Sequence, residues 1–218
     1  MSLDRDAEHD DRISDLLSAK EVAAVARFGS PAGRLRYARS HAAVRLILAR
    51  YLECDPRAVR LERDRLGKPH IVSSDLHYSL AHAPHVALVG VGRGSRLGVD
   101  VEAVRRLPEV DALKRRCLTA RERMHLEAVG TNEELLRLWV RKEAAAKVTG
   151  EGLRRVVDGL EVLTASALPG WRIVDLVPAP CHVAAAVVRD DVARVVARTF
   201  APPAAKHDLT RPASSSYN

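Results

Sequence analysis

The sequence predicts an α+β fold built from two similar halves, about 16–104 and 105–200, each a small antiparallel sheet with helices. Three observations lead there. Apolar runs with helical periodicity precede short alternating runs suited to strands, and that order occurs twice. His85-Val86-Ala87-Leu88-Val89 aligns with His182-Val183-Ala184-Ala185-Ala186 at an offset of 97 residues, each after a shorter strand and a proline-containing turn. Helix starts are announced by capping boxes: Ser18 with Glu21, Thr119 with Glu122, and Thr131 with Glu134.

Residues 1–15 are polar and aperiodic and read as a flexible N-terminus. A helix follows Ser18, and a longer one spans about 34–52, with Tyr37, Val44, Ile47, Leu48 and Tyr51 as its apolar face and Asp55-Pro56 as its stop. Strands are expected at 59–63, 76–80, 86–91 and 96–101. The last two, joined at Gly92-Arg93-Gly94-Ser95, form a hairpin leading into Asp100 and Glu102. In the second half the Thr131 box launches a helix over 134–148, and strands follow at 160–163, 171–177 and 182–188. The halves pack face to face. Pro202, Pro203, Pro212 and Ser214 to Ser216 make 201–218 a disordered tail.

With 47% hydrophobic residues the chain can bury a core, and no apolar run approaches the roughly 18 residues of a bilayer span. The N-terminus lacks a secretory pattern, so a cytoplasmic protein without membrane attachment is expected. Cys54, Cys117 and Cys181 are far apart, odd in number and lack C-x-x-C spacing, so neither a disulfide framework nor a zinc site is indicated. A net charge of +7 suits any polyanionic partner. A basic nucleic-acid-binding protein is the alternative reading, but aromatics are only 4% and no helix-turn-helix, zinc or ribonucleoprotein pattern is present. A magnesium-dependent phosphotransferase of the P-loop or kinase kind lacks its glycine loop.

Two segments carry the chemistry. In Gly98-Val99-Asp100-Val101-Glu102, strand alternation puts Leu97, Val99 and Val101 on one face and Asp100 and Glu102 on the other, roughly 6.5–7 Å apart. In Trp139-Val140-Arg141-Lys142-Glu143-Ala144-Ala145-Ala146-Lys147, helical spacing aligns Trp139, Glu143 and Lys147 along one stripe. Three acids brought together repel, at about 4 kcal/mol for a pair 4 Å apart, and demand a cation. Magnesium, a hard ion that takes carboxylate and phosphate oxygens, is the natural one.

The paired segments resemble the signature of the 4'-phosphopantetheinyl transferases of the surfactin type, a G-[IV]-D strand end joined to a [FW]-x-x-K-E-A-x-x-K helix. The likeness covers roughly 34–190. It implies a pseudo-twofold relation between the halves, with a monomer as a pseudo-dimer in one chain. It also implies Mg²⁺ held by Asp100, Glu102 and Glu143, with coenzyme A as substrate and an apo acyl or peptidyl carrier protein as partner. The phosphopantetheine arm would pass to a carrier serine, with Glu143 as base, releasing adenosine 3',5'-bisphosphate. Lys147 and Lys142 match the family's phosphate lysines, and Lys68 of Gly67-Lys68-Pro69 its nucleotide contact. His82 matches the histidine of a Ser-His-Ser element whose serines are here Ala81 and Ala83. The 3'-phosphate falls to Arg34, Arg36, His41 or Arg45, His41 standing where arginine is common. Trp139 is expected to be a core anchor.

Overall fold

The computed structural model describes residues 13–105, 110–149 and 159–200, and the chain divides into two compact units, Met1–Arg60 with Ala197–Asn218, and Leu61–Val196. The expected flexible start and tail lie almost wholly outside the described residues.

In the first unit, helix α1 (Ala19–Ala26) starts at the predicted box, Ser18 N donating to Glu21 Oε2 at 2.7 Å and Glu21 N to Ser18 Oγ at 3.3 Å. Helix α2 (Pro31–Leu52) begins three residues before the expected point because Ser30 caps it and Pro31 supplies a preset φ at its first position. It ends at Glu53 in the left-handed region, φ 52°. Its buried face is Ala42, Ala43, Val44, Leu48 and Ala49; Tyr51, expected there, is 52% exposed. Arg39, Ser40 and Arg45 are buried on the same helix. The buried guanidinium of Arg45 reaches Glu21 Oε2 at 2.8 Å and the carbonyls of Pro56 and Val59. Arg45, one of the alternatives expected for the 3'-phosphate, is here a structural tie.

The second unit is layered on one antiparallel sheet of order β5-β7-β6: β5 (Gly98–Ala103), β7 (His182–Arg189) and β6 (Trp171–Leu176). Strands from both expected halves therefore share a sheet. Central β7 is buried on both sides and sorts its residues by parity. Val183, Ala185 and Val187 join a core with α5 (Asn132–Thr149), which contributes Leu135, Leu136, Leu138, Val140, Ala144 and Val148. Ala184, Ala186 and Val188 join a second core with Val99 and Val101 of β5 and with Ala81 and Ala83. That opposite layer is the hairpin of β3 (Leu76–His82) and β4 (Ala87–Arg93). Two further helices, α3 (Val110–Cys117) and α4 (Ala120–Val129), precede α5, and a small ribbon pairs β1 (Leu61–Arg63) with β2 (Pro69–Ile71). Neither α3 nor β2 was expected from the sequence.

The expected hairpin between the strands at 86–91 and 96–101 does not form. β4 pairs with β3, and β5 pairs with β7, in the register Asp100 opposite Ala185 and Glu102 opposite Val183. Glycines decide this. A Cβ on Gly90 would lie 2.5 Å from Leu97 Cδ1 and 2.7 Å from Val99 Cγ1, so β5 rests its side chains on the bare face of β4 instead of extending its edge. The strand expected at 160–163 is also absent among the described residues. Val162 N there donates to Glu122 Oε1 at 2.9 Å, a side chain in place of a neighbouring strand.

Gly98 sets the distance between β5 and α5, since a Cβ would stand 1.9 Å from Ala144 O and 3.0 Å from Val148 N. The obstacle is backbone and cannot rotate away. Gly98→Ala should lower stability by about 1–3 kcal/mol, several degrees in Tm, by overpacking. Thermal unfolding checks this; an unchanged Tm would show that helix and strand are not in contact there.

Candidate active site

The close approach at Gly98 brings the two signature segments face to face. Val99 and Val101 turn to the hairpin, leaving Asp100 and Glu102 on the face that α5 covers. Lys147 Nζ donates to Asp100 Oδ1 at 2.7 Å and to Val99 O at 3.1 Å, joining helix to strand. Glu102 Oε2 accepts from Arg105 at 3.2 Å, an exposed pair worth less than about 1 kcal/mol and easily exchanged.

Electrostatics shows that the acids feel one another. Burial pushes the Glu143 carboxyl above its ordinary range, Asp100 and Glu102 push it further, and Lys147 partly offsets them. Asp100 is raised in the same way, mainly by burial, with Lys147 opposing and Glu102 adding. Yet among the described residues no three Asp, Glu, His or Cys side chains stand together as a finished metal-ligating group. In their place Lys147 neutralises Asp100, and Arg105 neutralises Glu102. Asp100, Glu102 and Glu143 offer hard carboxylate oxygens, the ligand type that a divalent oxygen-seeking cation takes.

Two expected phosphate ligands are placed elsewhere. Lys142 is fully buried with its Nζ 2.9 Å from Glu122 Oε2, itself fully buried, and also donates to Leu160 O. Successive helical residues diverge by about 100°, so Lys142 points into the core while Glu143 does not. Lys68 donates from Nζ to Val148 O at 2.9 Å, to Lys147 O and to Leu97 O. Both ammonium groups, expected as phosphate or nucleotide contacts, are here engaged with groups of the protein itself. Trp139 is only half-buried; its neighbours Leu138 and Val140 anchor the helix instead.

Glu122 was legible in the sequence only as a capping residue. It does accept from Thr119 N at 2.8 Å, and through Val162 N and Lys142 it fastens α4, α5 and the segment at 162. Arg141 adds a bidentate pair with Asp175 on β6, 2.8 and 2.6 Å, that no local pattern marked.

The 4'-phosphopantetheinyl transferase HetI of Nostoc sp. (strain PCC 7120) is 30% identical over 185 residues, which is 79% of this chain and 78% of the relative. This chain belongs to the 4'-phosphopantetheinyl transferase superfamily. Residues 96–197 of the transferase match the superfamily as a whole, and they include Asp100, Glu102, Glu143 and Lys147. A Synechocystis sp. (strain PCC 6803) protein, slr0495, provisionally named for the same transfer, is 29% identical over 144 residues, 63% of this transferase and 58% of the relative. No described helix is long and apolar enough to cross a membrane.

The remaining expected contacts of the transferase have definite surroundings. His82 is exposed at the end of β3, while Ala81 and Ala83 on either side are buried in the second core. Both alanines pack among the apolar side chains of that core. In the first unit Arg34 is exposed near the start of α2, Arg36 buries an Nε with no hydrogen-bond partner among the described residues, and His41 stacks on Tyr37 with ring centroids 3.8 Å apart.

Proposed function

We propose that this transferase moves the 4'-phosphopantetheine arm of coenzyme A to a serine of an apo acyl or peptidyl carrier protein, in a Mg²⁺-dependent reaction that releases adenosine 3',5'-bisphosphate. The observation that carries it is the contact between the two signature segments, Lys147 of α5 donating to Asp100 of β5 at 2.7 Å, beside a Glu143 carboxyl raised by burial and by Asp100 and Glu102. Asp100, Glu102 and Glu143 would hold the magnesium, which when bound neutralises charge on the diphosphate. Glu143, directly or through water, takes the proton from the serine. The serine oxygen forms its bond to the β-phosphorus, and the bond to the adenosine 3',5'-bisphosphate oxygen breaks. Lys147, released from Asp100, donates to a phosphate oxygen and steadies the charge there. His82 and, on α2, Arg34, Arg36 and His41 remain proposed coenzyme A contacts. The division at 16–104 and 105–200 rests on the 97-residue register of the two histidine strands.

Mass spectrometry tests the reading. Incubation with coenzyme A, Mg²⁺ and an apo carrier should add the phosphopantetheine mass to the carrier serine, and chelation should prevent it. No added mass on carriers from fatty acid, polyketide and nonribosomal peptide systems would remove it. Lys147→Ala should lower kcat/KM for coenzyme A about 10–100-fold, the worth of one hydrogen bond to a charged group. Steady-state kinetics at varied coenzyme A measures this; unaltered turnover would make Lys147 only a partner of Asp100.

A further inference from the structure

Lys68 belongs to a turn built to present it. Asp64 N donates to Lys68 O, and Asp64 Oδ1 accepts from both Leu66 N and Lys68 N, closing the loop between β1 and β2. Gly67 takes φ 82°, which a side chain would strain, and Pro69 opens β2. From this rigid base the side chain reaches across to the carbonyls of Lys147 and Val148 near the end of α5, and of Leu97 just before β5. Late helical carbonyls carry the negative end of the helix dipole and seek a cation.

These three carbonyls belong to the segments that carry the acids. Leu97 precedes Asp100 by three residues, and Lys147 follows Glu143 by one helical turn. We infer that Lys68 is a positioning residue for phosphopantetheine transfer: its ammonium clamps the end of α5 to the start of β5 and so fixes the spacing between Glu143 and Asp100. Gly98 permits the approach, and Lys68 holds it. The groups felt at Lys68 are Arg96, which disfavours the ammonium, and Asp64, which favours it; burial brings its pKa down to about 8, and His77 feels both Arg96 and Lys68. A cation kept in such surroundings has its three acceptors as compensation.

The activity arm of the test rests on the proposed transfer reaction; the metal arm rests only on the proposed cation site at Asp100, Glu102 and Glu143. In full-length protein, Lys68→Met should lower kcat about tenfold with KM for coenzyme A within about twofold, because the nucleotide is not touched. Without coenzyme A it should weaken Mn²⁺ binding about fivefold or more by titration calorimetry, since the carboxylates are no longer held at their distance. Lys68→Arg, which still offers several donors, should recover most of both losses. Should the Met variant not fold, Lys68→Gln serves the same comparison with one donor kept. A raised KM with kcat and Mn²⁺ affinity unchanged would overturn the proposal in favour of a direct nucleotide contact. A lowered Tm with both kinetic constants and Mn²⁺ affinity intact would overturn it in favour of stability alone. If the wild type transferred nothing to any carrier, the transferase reading would fall, and the Mn²⁺ comparison would still judge the clamp.

Discussion

Glu143→Gln should lose about 10²–10⁴-fold in kcat, the usual range for removing a general base, while the protein stays folded. Its stability should rise. Burial, Asp100 and Glu102 all disfavour the ionised carboxyl, so Glu143 holds its proton more tightly in the folded chain than in the unfolded one. A group of that kind contributes stability on the acid side that is lost as pH rises through its raised folded pKa. Asp100 acts in the same direction. Wild-type Tm should therefore decline as pH climbs above the ordinary carboxylate range, with other groups superimposed, and the Gln variant should show a shallower decline and an equal or higher Tm near pH 8. Calorimetric scans across pH, beside a transfer assay, check both parts. Near-normal turnover, or a Tm lowered at pH 8, would contradict the assignment.

The next residue back should behave in the opposite way. Lys142→Ala removes the cationic partner of a fully buried carboxylate, leaving Glu122 with only the N–H groups of Thr119 and Val162 to compensate it. Breaking a buried pair in this manner costs about 3–5 kcal/mol, several times the worth of an exposed pair. For a chain of this size that corresponds to a fall in Tm of roughly 6–20 °C. The double variant Lys142→Met with Glu122→Leu should recover much of the loss, because no lone charge remains buried. Thermal unfolding of the single and double variants makes the comparison. A Lys142→Ala protein as stable as the wild type, with only KM for coenzyme A raised, would restore this lysine to the phosphate site.

These adjacent residues mark how far a sequence can be read. Alternation along 98–102 and the helical repeat from Trp139 to Lys147 are local, so the facing of Asp100 and Glu102 toward α5 and the stripe of Glu143 and Lys147 were legible. The capping boxes at Ser18 and Thr119 are local too, and both form as expected. At Thr131 only half of the box appears: Thr131 Oγ1 accepts from Glu134 N, but the Glu134 carboxylate goes to His125 and Arg137. What stayed hidden was the destination of long side chains. The Lys68 ammonium ends against residues some 80 positions away, and Lys142 meets a glutamate 20 positions earlier. Strand pairing was misjudged for a related reason. Gly92-Arg93-Gly94-Ser95 has turn chemistry, but Gly90 works through the side chains that lie on it, which only the packed layers define.

The account stands on Asp100, Glu102 and Glu143 serving one cation beside a diphosphate. Anomalous diffraction from a crystal grown with coenzyme A and Mn²⁺ tests that directly. The predicted result is a manganese peak between β5 and α5 with oxygens of Asp100 and Glu143 in its coordination, Glu102 bound directly or through water, and Lys147 turned from Asp100 to a phosphate oxygen. A peak elsewhere, or bound coenzyme A with Lys147 still on Asp100 and no metal near these acids, would contradict it.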